Sequence, residues 1–436
     1  MDIQMRLSNF KNNLSPTLRV IPILFVLICC CRPALGTQTT VNLLAKAMLS
    51  PKSKERISAY KVISEYQCPN AFCLQTIQSR FNQEIKNNFG FSEEPADPFS
   101  TWESNLSRNS EELSCMCKVL AFTSDPDCRT TLERVYSKLP TNIRLKGFAE
   151  KCLKISDAYA KTALCWSTSD TSDTDCEVKS VCMIESPHPT VRVTGAKHIF
   201  WSLGHGDGIY RRVDGIITNT LSQIETQNNP EDNSGFPNGL VTVPNSTQEF
   251  LSWLSKSLGI SGNPRYRKTL LEVLEKSQRL QFSKLIHHTQ RALQLLKQTS
   301  AAYRQMDTVN KKHPHLSNTD KKIICLIKSP FPYLKSFAAQ HVYWSPAANR
   351  TVIDIINSET LAKLNEKQLQ YETAASQADN FQDKTTVFLA SGEAEILAWY
   401  CKILKATGDS KYLPTLNLAV KIASVTMSRK LKNALQ

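Results

Sequence analysis

The chain has 436 residues, of which 41% are hydrophobic and 21% charged, with 14 glycines. This excludes a disordered or collagen-like polypeptide and leaves enough length for a large core or an extended array. Fifty-three lysines and arginines against 39 acids give a net charge of +14, which draws the protein to anionic surfaces in general. The basic residues form no block of like charge and are not interleaved with aromatics, so no nucleic-acid motif is present.

Residues 1–36 stand apart. Arg6, Lys11 and Arg19 make a positive start, 20–31 is an apolar run broken only by Pro22, and Ala34 and Gly36 place small residues at −3 and −1. This pattern predicts a secretory signal peptide cleaved after Gly36. The run is too short for a membrane-spanning helix, and no later run is long enough. A lipid anchor on Cys29, Cys30 or Cys31 is the alternative, but Cys29 follows Ile28 rather than a small residue. Cleavage removes four basic residues (Arg6, Lys11, Arg19, Arg32) and Asp2, leaving +11.

Three long stretches then repeat one another. In 41–155 the marks are Ser50, Pro51, Arg56, Ala59 and Val62, then Lys118, Asp125, Pro126, Thr131 and Leu132. In 181–298 they sharpen to Cys182, Ser186, Pro187, Pro189, Arg192, Ala196, His198 and Trp201. These recur in 321–436, 143 residues on, as Cys325, Ser329, Pro330, Pro332, Lys335, Ala339, His341 and Trp344. The later half of the unit repeats at an offset of 146: Trp253, Lys256, Gly262, Asn263, Tyr266 and Thr269 become Trp399, Lys402, Gly408, Asp409, Tyr412 and Thr415. All three end in a small residue and leucine or an equivalent: Cys152 and Leu153, Ala292 and Leu293, Ala434 and Leu435. Repetition on this scale sets the architecture before any local feature does.

Within the second stretch the apolar spacing predicts helices over 189–202, 209–225, 246–259 (ending near Gly259), one opened by Asn263 and Pro264, and one over 282–298. Asn263, like Asp125 and Asp409, is an N-cap whose side chain accepts an otherwise unpaired amide. Proline after the cap needs no amide donor. About six helices, or three hairpins of about 40 residues, make one unit.

On these motifs the chain resembles the HEAT-repeat superfamily, and more narrowly exported bacterial HEAT-like proteins in which a Trp-containing helix precedes a Gly-Asn/Asp-x-x-Tyr turn. The resemblance covers most of 41–436. It implies an all-α fold, a right-handed α-solenoid of HEAT-like hairpins in three long units, with Trp201, Trp253, Trp344, Trp399, Tyr266 and Tyr412 as structural anchors. The first unit departs most, carrying Glu65 for the first tryptophan, Cys115 for the second and Cys128 for the tyrosine. The resemblance implies a curved scaffold that binds partners, and it transfers no catalytic residue.

No constellation points to chemistry. Eleven cysteines follow residue 36, an odd number, so one at least is unpaired within a monomer. Cys68 with Cys73 and Cys165 with Cys176 are the disulfide candidates, because both pairs flank loops and lack counterparts in the sister units. Cys115 and Cys117 lack a second pair at zinc spacing. His198 and His341 read as packed helix residues. His313 and His315 beside Asp320 form a weak metal candidate, and 204–208 is a turn rather than a phosphate loop, lacking a preceding strand and a Lys-Ser/Thr ending. Trp102 and Trp166, without counterparts, are candidates for an exposed contact.

The expectation is therefore an exported, non-catalytic scaffold, with no cofactor or metal, that binds a protein partner on its concave face. A binder of an anionic envelope polymer or lipid is the first alternative, and a Cys/His enzyme in the first unit the second. The segments where the copies disagree, 87–100, 156–180, 227–244 and 299–320, are where function is expected.

Overall fold

Several helix starts in this protein carry a side chain that serves a free amide of the first turn, among them Asn42, Asp125, Ser317 and Ser428. The computed structural model describes residues 40–66, 71–89, 102–123, 125–139, 144–167, 175–203, 205–227, 244–345, 347–377 and 389–436. Segment 1–36, where a signal peptide is expected, and Cys68, Cys165, Cys176, Trp102 and Trp166 lie outside what is described of backbone or side chain. Nineteen α-helices are present among the described residues, so the protein is all-α. A two-residue strand (Thr40–Val41) pairs with another (Ala348–Asn349).

The first stretch contains α1 (Leu43–Met48), α2 (Ser53–Tyr66), α3 (Ala71–Phe89), α4 (Trp102–Ala121), α5 (Pro126–Lys138) and α6 (Arg144–Ser167). The second contains α7 (Asp175–Ile184), α8 (Pro189–Trp201), α9 (Asp207–Gln227), α10 (Asn245–Ser261), α11 (Arg267–Arg279) and α12 (Ser283–Tyr303). A short α13 (Met306–Lys312) follows. The last stretch contains α14 (Asn318–Ile327), α15 (Pro332–Tyr343), α16 (Arg350–Gln377), α17 (Ser391–Thr407), α18 (Leu413–Val425) and α19 (Arg429–Leu435). Proline occupies the first turn of α5, α8 and α15, where its fixed φ suits the helix and its missing N–H costs nothing.

The turn before the fifth helix of each stretch is built by side chains. Asp125 accepts from the Asp127 amide at 2.9 Å, Asn263 from Arg265 at 3.2 Å and Asp409 from Lys411 at 3.1 Å. Ahead of the last two, Gly262 (φ 68°) and Gly408 (φ 69°) end α10 and α17 in the left-handed region that a Cβ disfavours. Tyr266 and Tyr412 are buried, and their hydroxyls donate to Asp207 (3.2 Å) and Asp354 (2.8 Å) on α9 and α16. The turn is thereby tied to the third helix of its own stretch. In the first stretch the buried thiol of Cys128 stands at this position and makes no such tie through a hydroxyl.

Several helix boundaries differ from the sequence expectation. α10 does not stop near Gly259 but continues to Ser261, because Gly259 sits where α10 and α12 touch. α6 and α12 run on to Ser167 and Tyr303, past the expected ends at 155 and 298. The extension of α6 is held by packing: Tyr159 meets Phe122 edge-on at 5.9 Å and joins Met183 and Val191 in a small buried cluster.

The second, fourth and sixth helices of each stretch lie side by side: α2–α4–α6, α8–α10–α12 and α15–α17–α19. The third and fifth pair with each other and lean on this row: α3 with α5, α9 with α11, α16 with α18. Between stretches α2 packs on α8, and α1 packs on α15 and α17. The first helix thus closes against the last stretch. The Leu44 amide donates to Ser345 O at 3.4 Å, and Lys46 Nζ reaches Ala406 O and Thr407 O at the end of α17. One buried core cluster accordingly runs from Leu43 to Tyr412, with a second confined to 184–296 and a third to 364–431.

Candidate functional site: an aromatic cavity where the three stretches meet

Each stretch contributes the end of a helix to one central cavity of about 480 Å³. α2 brings Val62, α8 brings Phe200 and Trp201, α10 brings Trp253, and α15 brings Tyr333 and Phe337. Trp344 follows α15, while Arg291 of α12 and Glu395 of α17 supply charge. The aromatic groups hold one another. Phe337 lies 5.3 Å from Phe200 and 5.5 Å from Trp201, Phe200 lies 5.5 Å from Trp253, and Trp201 stacks on His341 at 5.6 Å with 20° between the planes. These offset and edge-on contacts are the arrangements that ring quadrupoles favour.

The four repeat tryptophans divide by depth. Trp201 and Trp344 are 7% and 6% exposed and belong to the core cluster, whereas Trp253 and Trp399 are half-buried against it. The half-buried pair each carry a lysine one turn on, Lys256 Nζ 4.0 Å from the Trp253 ring and Lys402 Nζ 4.4 Å from the Trp399 ring, which is cation–π geometry. In the first stretch Lys118 stands at the same place but finds Glu65 at 2.7 Å, and Glu65 also faces Lys197 at 3.6 Å. Burial alone would raise the Glu65 carboxyl, but these lysines hold it below its ordinary value. The glutamate that departs from the tryptophan pattern is thus the ion-pair joint between α2 and α8.

Cations gather around the Trp253 ring, with Lys197 Nζ at 5.5 Å and Lys256 Nζ at 4.0 Å from it. Burial, followed by the charges of Arg291, Lys197 and Lys284, pulls Lys256 down to about 8, with Glu249 opposing weakly. His288 on α12 is pushed down to about 4 by burial and by Lys256, His287, Lys284 and Arg291, so it is neutral at pH 7. Lys197 has Glu65 at 3.6 Å and Glu249 at 3.7 Å. Among the described residues no carboxylate lies within ion-pair distance of Lys256 or Arg291. The Arg291 guanidinium lies 5.0 Å over the Tyr333 ring.

A folded-state value below 10.5 means that Lys256 costs stability while charged. Between about 8 and 10.5 the unfolded chain binds more protons than the folded one, so stability rises with pH there. Lys256→Met is expected to raise stability at pH 7 by on the order of 1 kcal/mol, a figure discounted for the part of the ammonium still in water. The gain disappears towards pH 10.5, where wild type has also shed the charge. Urea melts of both proteins at the two pH values measure it.

A second cleft, of about 620 Å³, gathers Lys46, Lys52, Lys54, Lys402 and Lys405 around Trp399 and Tyr343. Most of these lysines are occupied by the chain itself. Lys46 serves the end of α17, Lys405 donates to Leu435 O at 2.8 Å, and Lys52 reaches Gln436 O at 3.4 Å. They neutralise helix C-termini, a favourable use of a cation, and leave little for an external anion.

The histidines and cysteines do not gather into a reaction centre. Burial drives His198 to about 3 and His341 to about 4. The rings of His313 and His315 are 6.4 Å apart, and no group of three or more potential metal ligands occurs among the described residues. In the 204–208 turn, Glu177 accepts from the Gly206 amide at 2.6 Å and lies 3.2 Å from His205 Nδ1. Burial raises Cys115 to about 11 and Cys128 and Cys152 to about 12, and raises Cys117 well above its ordinary value.

Of the cysteines proposed for disulfides, Cys73 is buried on α3, and the other three lie outside the described side chains. Cys182 is disulfide-bonded, although it is a repeat mark whose counterpart Cys325 is a free, buried thiol. Sequence reasoning also passed over Glu111, Glu249 and Glu395, which stand four residues before Cys115, Trp253 and Trp399. Their matched spacing was the signal. Glu111 pairs with Lys61 at 2.6 Å, Glu249 with Lys197, and Glu395 with Lys430 at 3.3 Å.

Compared with protein-family models and with curated proteins, the chain matches none. No described helix is long and apolar enough to cross a membrane.

Proposed function

We propose that this chain is an exported, non-catalytic helical scaffold that binds a protein partner, and that the partner is held at the aromatic cavity between the three stretches. The observation that carries the reading is the cavity wall: six aromatic side chains from α8, α10 and α15 and the segment after it, with Arg291 among them and Lys256 over the Trp253 ring. Partly exposed aromatic clusters of this kind are where binding energy concentrates in protein interfaces. The repeated unit is read as a HEAT-like set of helical hairpins. With α1 closed on α17, the recognition surface is this central cavity rather than the long concave face of an open array.

Export is supported by the segment 1–36 and by the disulfide at Cys182, a bond that persists in oxidising compartments. The Cys/His enzyme reading is disfavoured because the thiols of the first stretch are held protonated, and the thiolate is the nucleophile. The anionic-polymer reading rests on net charge alone, since the lysine-rich cleft is largely filled by helix carbonyls.

The test is affinity capture from the native compartment with wild type and with a Trp253→Ala, Phe337→Ala double variant of matched melting behaviour. Proteins retained by wild type and lost by the variant are expected. An identical set from both, or no protein from either together with turnover of a substrate, sinks the reading.

A further inference from the structure

Resting on that reading, we propose that the partner enters the cavity with an acidic peptide segment, whose carboxylate is received by Lys256 and Arg291 while a neighbouring apolar side chain lies on the aromatic wall. Arg291 lines the aromatic cavity and Lys256 Nζ lies 4.0 Å from the ring of Trp253 in its wall, and among the described residues no carboxylate stands within ion-pair distance of either. Every other carboxylate near the site is committed. Glu65 and Glu249 face Lys197, and Glu395 accepts from Ser336 and pairs with Lys430. Lys284 on α12 adds to the positive side, and neutral His288 adds no charge.

The shape favours a peptide over a polymer or a bilayer. At about 480 Å³ the cavity, lined by residues of α2, α8, α10, α12, α15 and α17, suits one or two side chains rather than a flat surface. The Arg291 guanidinium lies 5.0 Å from the Tyr333 ring centroid, and a guanidinium receives a carboxylate through paired N–H groups, the geometry of a charge-assisted fork. The net charge of +11 after loss of residues 1–36 accelerates the approach of an acidic segment.

The probe is an acetylated, amidated peptide with one Phe between pairs of Asp, titrated into the full chain with tryptophan fluorescence as the readout, because Trp253 and Trp344 line the cavity. Expected are saturable binding of this peptide, none of its counterpart with Lys for Asp, and at least a tenfold loss for Lys256→Gln with Arg291→Gln. Lys256→Arg, which keeps the charge, is expected to retain binding and guards against a folding defect. Equal binding by the double variant, equal binding of the Lys peptide, or response only to a sulfated polysaccharide or to anionic vesicles would overturn the proposal. If the charge variant still captures the partner that the aromatic variant loses, the scaffold reading stands and only the acidic-segment assignment fails.

Discussion

Glu112→Ala is expected to destabilise the protein by about 3–5 kcal/mol, the usual cost of removing one member of a buried ion pair. Arg56 donates to Glu112 through Nε at 2.6 Å and Nη2 at 2.8 Å, and its Nη1 serves Ser50 O and Pro51 O. Ser53 donates to the same carboxylate at 2.9 Å, and Arg80 stands 3.3 Å away. Truncation would leave Arg56 buried beside a second cation. Burial would raise the Glu112 carboxyl, but the bonds from Arg56 and Ser53 prevail and hold it below 4.5. This stabilisation is therefore complete above about 4.5 and is lost as pH falls through the lower folded-state value. Urea denaturation at pH 7 is expected to show the full difference, and melts at progressively lower pH a shrinking one. Equal stability of variant and wild type at pH 7 would refute the assignment.

Gly259→Val is expected to cost about 1–3 kcal/mol or more by overpacking. A Cβ at Gly259 would come within 2.7 Å of Ala292 O and 3.2 Å of Ala292 Cα, and backbone cannot swing aside as a flexible side chain can. The helices α10 and α12 must then separate beside Lys256 and Arg291, so the cavity edge should move as well. A lower urea midpoint accompanied by a changed tryptophan emission maximum is the expected result. A destabilised protein with unaltered emission would mean that the helices had yielded elsewhere.

The repeat was readable because its marks are local. Proline at a first turn, a cap three residues before a buried tyrosine and glycine in the left-handed region act within a few residues of themselves, and they occur where a linear reading places them. Gly259 shows the limit. As a residue type it predicts a helix end, but it lies inside α10 because α12 needs its missing side chain. The same holds for Glu65, which reads as a departure from the tryptophan pattern until Lys118 is seen across the helix pair. Sequence spacing also failed to distinguish Cys182 from Cys325, since pairing depends on which sulfur stands nearby.

What the sequence alone determined is the all-α character and several of the helix starts, because these depend on short-range backbone sterics and amide pairing. Only the tertiary structure decided what each copy does. Trp253 with Lys256 and Trp399 with Lys402 are the same motif, yet Lys256 faces Arg291 and Lys284 while Lys402 has Glu55 nearby. Where Arg291 stands in the second stretch, the third carries Asn433. Charge interactions depend on distance through space and on local burial, and those follow from which helices pack beside each copy.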